Sequence, residues 1–349
     1  MADFTDNTRN TSVKLSDIIG VQPSGEFFLS VEFFPPRTEK GVTNLYSVID
    51  KKLKDLNPIF ADFTWGAGGS TSDLTLELCR HIKSECKLNP NMHLTCTNMD
   101  ASKITEALAG CKESGITNIV ALRGDPPAGE EAWVATEGGF NCALDLVRFI
   151  RAEHGDYFCL SVAGYPEGHP NNMTKVDDIS TLTPTELERC ASFTDENGVV
   201  ETTVCLDAAY DIEMNYLKEK VDAGADAIIT QLFFDNQVFL SFVDRCRKMG
   251  ITVPIIPGMM CISSKGGFER MTKFCKTRVP PELKARVGVA SNDTEAKEIG
   301  IQVGYEMCKE LLEKGATPGL HFYTLNMANV TCGIVEKLKE NFTFTCIAN

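Results

Sequence analysis

No run of about 18 uninterrupted apolar residues occurs in this 349-residue chain, so nothing in it reads as a membrane span. The first 26 residues hold neither an apolar stretch nor a small-residue cleavage site, which predicts a cytoplasmic rather than a secreted protein. Basic residues are in deficit: 34 Lys and Arg stand against 48 Asp and Glu, for a formal charge of −14. That excludes a general nucleic-acid binder, which needs clustered cations for phosphate contacts. A small anionic ligand, needing only a few local cations and backbone N–H groups, stays open. The chain has fourteen cysteines but no Cys-x-x-Cys pair, and most lie inside apolar runs, such as Cys96 in HLTCTN and Cys159 in FCLSV. They read as buried reduced thiols, with no metal site expected. A Gly-x-Gly-x-x-Gly after the first apolar run is also missing, which disfavours an open doubly wound sheet.

What is present is a series of eight short runs rich in Val, Ile, Phe and Thr. They are FLSVEFF (27–33), IFADFTW (59–65), MHLTCT (92–97), NIVALRG (118–124), CLSVAGY (159–165), AIITQLFF (227–234), PIIPGMM (254–260) and LHFYTL (320–325). Near-continuous apolar character marks strands covered on both faces. Helical segments lie between them, among them 40–56, 71–85, 101–115 and 237–250. Eight alternations predict an α/β fold, a single-domain (β/α)8 TIM barrel over 27–340. Residues 1–26 read as a polar tail with a short helix at 14–19, and 341–349 as a second tail. The connection after the fifth strand is too long for one helix. It predicts an insertion at about 171–206, with a helix at 184–192 and a hairpin near Asn197-Gly198.

In such a barrel the active site lies at the C-terminal ends of the strands. Strand one ends in Glu32, a carboxylate set among phenylalanines: poor core material, and a candidate proton donor. Strand two ends in Thr64-Trp65 and enters Gly66-Ala67-Gly68-Gly69-Ser70, either a ligand-approaching loop or a plain tight turn. His93 in strand three is a ligand contact or a satisfied core histidine. Strand four ends in Arg123-Gly124-Asp125, a charged pair at the mouth or a loop salt bridge. Strand five leads into Tyr165-Pro166-Glu167-Gly168-His169. Strand six holds Gln231, whose amide needs partners if buried. Strand eight contributes His321 and Tyr323. Polar groups at nearly every strand end are hard to explain as core packing.

Taken in order, VEFFPPR, FTWGAGGST, HLTCTN, ALRGDPP, YPEGHP, KVDAGADAIITQLFFD, IIPGMM and HFYTLN resemble the methylenetetrahydrofolate reductase family over roughly 27–330. The resemblance implies a barrel that binds FAD, takes reducing equivalents from NADPH or NADH, and reduces 5,10-methylenetetrahydrofolate in a ping-pong scheme. It implies a folate substrate, no nucleic-acid or membrane partner, and a homo-oligomer (dimer or tetramer). Glu32 matches the family's general acid. Asp125 matches a residue beside the flavin that contacts the pterin, Gln231 one that touches folate and nicotinamide in turn, and Tyr323 a substrate-side position. Thr64, Trp65, Ala67, His93, Arg123, Gly124, Asp125, Ala143, Tyr165, His169 and Lys220 match flavin-binding or neighbouring positions. Two departures stand out: Met327 where many members carry an Arg that pairs with the folate glutamate tail, and Glu213 where Asp is usual. The S-adenosylmethionine-binding regulatory domain of many eukaryotic members is expected to be missing from these residues. Competing readings are another flavin-dependent barrel oxidoreductase, such as a proline-dehydrogenase-like one, and a folate- or flavin-binding barrel without turnover.

Overall fold

The computed structural model describes residues 13–65, 72–126, 129, 133–194 and 197–345. The chain opens with α1 (Leu15–Val21) and continues through β1 (Glu26–Phe33), α2 (Glu39–Val48), β2 (Phe60–Phe63) and α3 (Ser72–Ser84). Next come β3 (Pro90–Thr95), α4 (Ala101–Glu113), β4 (Asn118–Leu122), α5 (Ala143–His154) and β5 (Cys159–Gly164). A side sheet with one helix follows: β6 (Met173–Val176), α6 (Pro184–Arg189), β7 (Ala191–Thr194) and β8 (Val200–Cys205). The chain returns to the main sheet with α7 (Asp207–Asp222), β9 (Ala227–Thr230), α8 (Asn236–Lys248), β10 (Ile255–Ile256) and β11 (Gly258–Met260). It ends with α9 (Lys265–Cys275), α10 (Pro281–Gly288), α11 (Asp293–Glu313), β12 (Gly319–Tyr323), α12 (Asn329–Leu338) and β13 (Thr343–Phe344).

The main sheet runs β10-β9-β5-β4-β3-β2-β1-β12-β11, and its ladders are parallel. All eight predicted runs contribute to it, and they form a nearly closed (β/α) barrel. The seventh run is split. Pro257 has no N–H to give the ladder, so Ile255–Ile256 pair with β9 while Gly258–Met260 pair with β12. The break is bridged by the His321 N–H, which donates to the Pro257 carbonyl at 3.1 Å. Residues 173–205 form the separate antiparallel sheet, in the order β6-β8-β7, with the capping box of α6 built from Thr183 and Glu186.

Alternation along the strands sorts the side chains. Leu29, Val31 and Phe33 of β1 join the layer between sheet and helices, where Leu45 and Ile49 also lie. Phe28 faces the interior, in a second buried cluster with Phe60, Val120, Cys159, Ala227, Ile229 and Ile256. Leu15 and Ile18 of α1 belong to this interior cluster. The Leu15 N–H donates to Asn118 Oδ1 at 2.8 Å, and the Asn118 and Asn89 amides both donate to the Val13 carbonyl. Residues 13–21 are therefore a plug in the barrel floor rather than part of a polar tail. Burying Leu15 there contributes about 2–3 kcal/mol. At the other terminus, Thr343–Phe344 pair in parallel with Glu26 and Phe27 instead of trailing free. With the floor apolar and sealed, inward polar side chains gather toward the opposite, C-terminal end.

Candidate active site

Two residues above Phe28 on the inward face of β1 is Ser30, and two above that is Glu32. The parallel registers set Glu32 beside Asp62 on one side and Tyr323 on the other. His93 on β3 completes the group. Its Nε2 lies 3.1 Å from Asp62 Oδ2 and 3.4 Å from Glu32 Oε2. His321 approaches from β12, with Nε2 3.6 Å from Glu32 Oε2. The Ser30 hydroxyl donates to the Leu320 carbonyl at 3.2 Å, and its oxygen meets His321 Nδ1 at 2.9 Å, which fixes that ring's orientation. Asp62 and His321 are fully buried, whereas the Glu32 side chain keeps 19% exposure and so is the carboxylate a substrate can reach. Burial opposes a charge on His93, but its hydrogen bond to Asp62 and the charges of Glu32 and Asp62 prevail and raise its pKa. Glu32, Asp62 and His321 each bring a ligand atom within 4.8 Å of the others.

Tyr323 extends the group upward. Its hydroxyl donates to the Thr230 carbonyl at 2.6 Å, and burial, then the charges of Glu32 and Asp62, hold it well above the usual phenol range. Gln231 lies just past β9, not within the strand. Its N–H donates to the Gly164 carbonyl at 2.7 Å, and its side-chain Oε1 accepts from the Leu232 N–H at 2.8 Å. The amide oxygen is thus occupied and the –NH2 is the end presented. On the β4 side, Thr97 Oγ1 donates to the carbonyls of Arg123 and Asp125, and Trp133 Nε1 donates to Thr97 Oγ1 at 2.8 Å. Gly124 has φ +88°, and a Cβ there would fall 2.4 Å from Thr97 Oγ1, so the turn requires glycine. Asp125 is exposed on this pinned turn. Arg123 does not form the expected pair with it: the guanidinium lies over the Trp133 ring at 5.5 Å, because Trp133 is held there by Thr97.

A cavity of about 290 Å³ opens beside the turn, lined by Arg123, Tyr165, His169, Glu213, Tyr216 and Lys220 among others. Lys220 is buried, donates to the Ala163 carbonyl at 2.8 Å and lies over the Tyr216 ring. Burial pushes its pKa down to about 8 against the pull of Glu213. Burial, then the charges of Arg123 and Lys220, depresses His169 to about 4. The imidazole is therefore neutral near pH 7. Its Nδ1 accepts from the Asn171 N–H, so the ring hydrogen sits on Nε2. Glu213 accepts both from the His169 N–H and from the Asn172 amide, which anchors the loop after β5 to α7.

The model of the methylenetetrahydrofolate reductase family matches residues 14–339. The chain belongs to the methylenetetrahydrofolate reductase family. A Zea mays relative, methylenetetrahydrofolate reductase (NADH) 1, is 46% identical over 93% of this chain and 50% of its own length. The Arabidopsis thaliana protein of the same name is 46% identical over 92% and 50%. This chain thus spans about half the length of those curated relatives. A Pectobacterium carotovorum 5,10-methylenetetrahydrofolate reductase is 34% identical over 90% of this chain and 91% of its own length. Among solved structures, a Clostridium thermocellum protein described as binding two copies of 5-methyl-5,6,7,8-tetrahydrofolic acid superposes with a TM-score of 0.55. It covers 93% of this chain and 99% of its own, and at 13% identity shows the fold alone.

Of the residues that the reductase-family resemblance singles out, the structure gathers Glu32, His93 and Tyr323 in the barrel interior. Arg123, Tyr165, His169 and Lys220 line the cavity. Thr64 and Trp65 follow β2. Trp65 is buried, and its Nε1 has no hydrogen-bond partner among the described residues. Ala143 begins α5, and Ala67 lies outside the described residues. Reading the sequence alone misses Asp62 and gives no role to Ser30 or His321. A signal for Asp62 was there: like Glu32, it is a carboxylate at an inward position of an otherwise apolar strand.

Proposed function

We propose that this chain reduces 5,10-methylenetetrahydrofolate to 5-methyltetrahydrofolate with NADH or NADPH, using FAD held beside the cavity, as a cytoplasmic enzyme of one-carbon metabolism. The observation that carries this reading is the partly exposed Glu32 carboxylate within reach of His93 and His321 at the barrel mouth. The bacterial relative supports it as well, since a protein named for this activity is matched over nearly its whole length.

The donor set suits a flavin dinucleotide. Arg123, Lys220 and His169 Nε2–H offer cationic and neutral donors for phosphate oxygens, Tyr165 and Tyr216 add aromatic faces, and the buried Trp65 Nε1 has no partner among the described residues. When bound, FAD supplies the two-electron carrier between nicotinamide and folate. The chain's residues do the rest. Glu32 delivers a proton to a folate nitrogen as the bond from that nitrogen to the bridging carbon breaks, and the carbon takes the hydride. The Gln231 –NH2 and the Asp125 carboxylate, the latter on its pinned turn, orient the pterin. The protein thereby contributes position, a proton and a water-poor pocket.

The test is direct. Purified protein should show flavin absorbance that NADH or NADPH bleaches without folate and methylenetetrahydrofolate restores, with parallel double-reciprocal lines. Protein without flavin, or intersecting lines, would overturn the reading.

A further inference from the structure

Trp133 takes no part in the scheme above, yet it stands against two residues that do. Its Nε1–H donates to Thr97 Oγ1 at 2.8 Å, and the same hydroxyl fixes the carbonyls of Arg123 and Asp125. The chain that follows it is tied down as well. Asp100 and Gly139 form an antiparallel bridge, and the Ala101 N–H donates to the Gly138 carbonyl at 3.0 Å. A Cβ on residue 139 would fall 2.3 Å from the Met99 oxygen, so the two segments are in close contact. The half-buried indole, packed against the core, is thus held in one place.

Arg123 lies between this ring and the cavity. Its guanidinium sits over the indole at 5.5 Å, within the range of cation–π attraction, and its side chain lines a cavity that Trp133 does not itself line. Among the described residues it donates only from Nε, to the Gly124 carbonyl at 3.3 Å, which leaves both terminal –NH2 groups for a ligand. Asp125 is the obvious competitor for them, exposed and two residues on. Both charges act on one ring: burial raises the Tyr165 pKa to about 12, Asp125 adds to the rise and Arg123 opposes it. A bidentate pair between guanidinium and carboxylate would occupy both groups at once. The face of Trp133 gives the guanidinium another place to lie.

We propose that Trp133 is a positioning residue: pinned by Thr97, its ring holds the Arg123 guanidinium at the cavity and away from Asp125. Arg123 is then free to meet an anionic oxygen of the dinucleotide, and Asp125 to meet the pterin. The proposal rests on the assignment of the cavity to FAD. It requires that a change at Trp133 act through Asp125, which a purely structural role would not do.

Release of FAD on dilution, followed by flavin fluorescence, measures the affinity. Trp133→Leu should weaken it by about 3–30-fold, the scale of a partly desolvated cation–π contact. Trp133→Phe, which keeps an aromatic face and loses the N–H, should recover part of that loss. In an Asp125→Asn background Trp133→Leu should cost much less, because no carboxylate remains to capture the guanidinium. An equal loss with and without Asp125→Asn, or a loss in Trp133→Phe as large as in Trp133→Leu, would make Trp133 a structural residue only. If neither Trp133 variant accumulates as folded protein, NMR of the arginine side chains decides. The Arg123 Nε–H resonance, assigned by its loss in Arg123→Lys, should be moved upfield by the indole ring current and stay there in Asp125→Asn. An unshifted resonance would overturn the proposal. The two readings fail separately. If Arg123→Ala leaves FAD affinity unchanged, the dinucleotide does not lie in this cavity; if it weakens FAD while Trp133→Leu does not, only the positioning role is lost.

Discussion

The Tyr323 hydroxyl reaches the Thr230 carbonyl at 2.6 Å across a gap that only Gly258 leaves open. A Cβ on residue 258 would fall 2.3 Å from the Thr230 oxygen and 2.5 Å from the tyrosine hydroxyl. The seventh strand is already broken at Pro257, so this hydrogen bond ties β9 to β12 over the break. Gly258→Ala should therefore cost about 1–3 kcal/mol in thermal or denaturant unfolding. Tyr323→Phe, which strands the carbonyl, should cost a similar amount. A neutral Gly258→Ala would mean that the three groups are not in contact.

Glu167 predicts a pH dependence of stability. It is buried, with Oε2 accepting from the Arg278 N–H at 2.9 Å and Oε1 without a partner among the described residues. Burial, only partly offset by that N–H, raises its pKa from 4.5 to about 8. Between those values the unfolded chain gives up the proton and the folded chain retains it. The contribution of Glu167 is thus most favourable below pH 4.5 and falls away as pH rises through 8. The full loss is roughly 5 kcal/mol at the scale of one pKa unit per 1.4 kcal/mol. Glu167→Gln should flatten this part of the curve, narrowing the difference in Tm between pH 5 and pH 8. An unchanged difference would show that Glu167 is not the group responsible.

The barrel was legible because its strands are covered on both faces and so read as apolar runs, and the helix predicted at 14–19 appears as Leu15–Val21. What helix α1 does was not legible, since nothing in a seven-residue segment says that Leu15 and Ile18 close a barrel floor. The split of strand seven had a visible cause in Pro257, but the run IIPGMM still read as one strand. Gln231 was placed inside a strand that in fact ends at Thr230. Glu32 stood out because it interrupts phenylalanines. Asp62 does not, and His321 reads only as one polar residue of strand eight, because their importance comes from register: neighbours on β1, β2 and β12 that are far apart in the chain meet only once the barrel closes.

Met327 is 43% exposed at the mouth, on the turn where the Asn326 side chain accepts from the Phe34 N–H and donates to the Phe34 carbonyl. Under the proposed function, the tail carboxylates of folate lack a bidentate partner here. Met327→Arg should tighten folate by a few-fold at low ionic strength, the scale of a largely exposed pair at about 0–1 kcal/mol, and leave nicotinamide oxidation by a quinone unchanged. Binding that is unaltered or weaker would show that another cation, such as Lys265 or Arg270, already meets the tail.

The central claim is that Glu32 is the acid of folate reduction and takes no part in oxidation of the nicotinamide. Rapid-mixing kinetics on Glu32→Gln tests it in one protein, by following flavin absorbance first with NADH or NADPH alone and then with methylenetetrahydrofolate alone. Bleaching should proceed at close to the wild-type rate, and the return of absorbance should be slower by about 10²–10⁴-fold, the usual contribution of a positioned general acid. Equal slowing of both phases, or an unimpaired second phase, would contradict it.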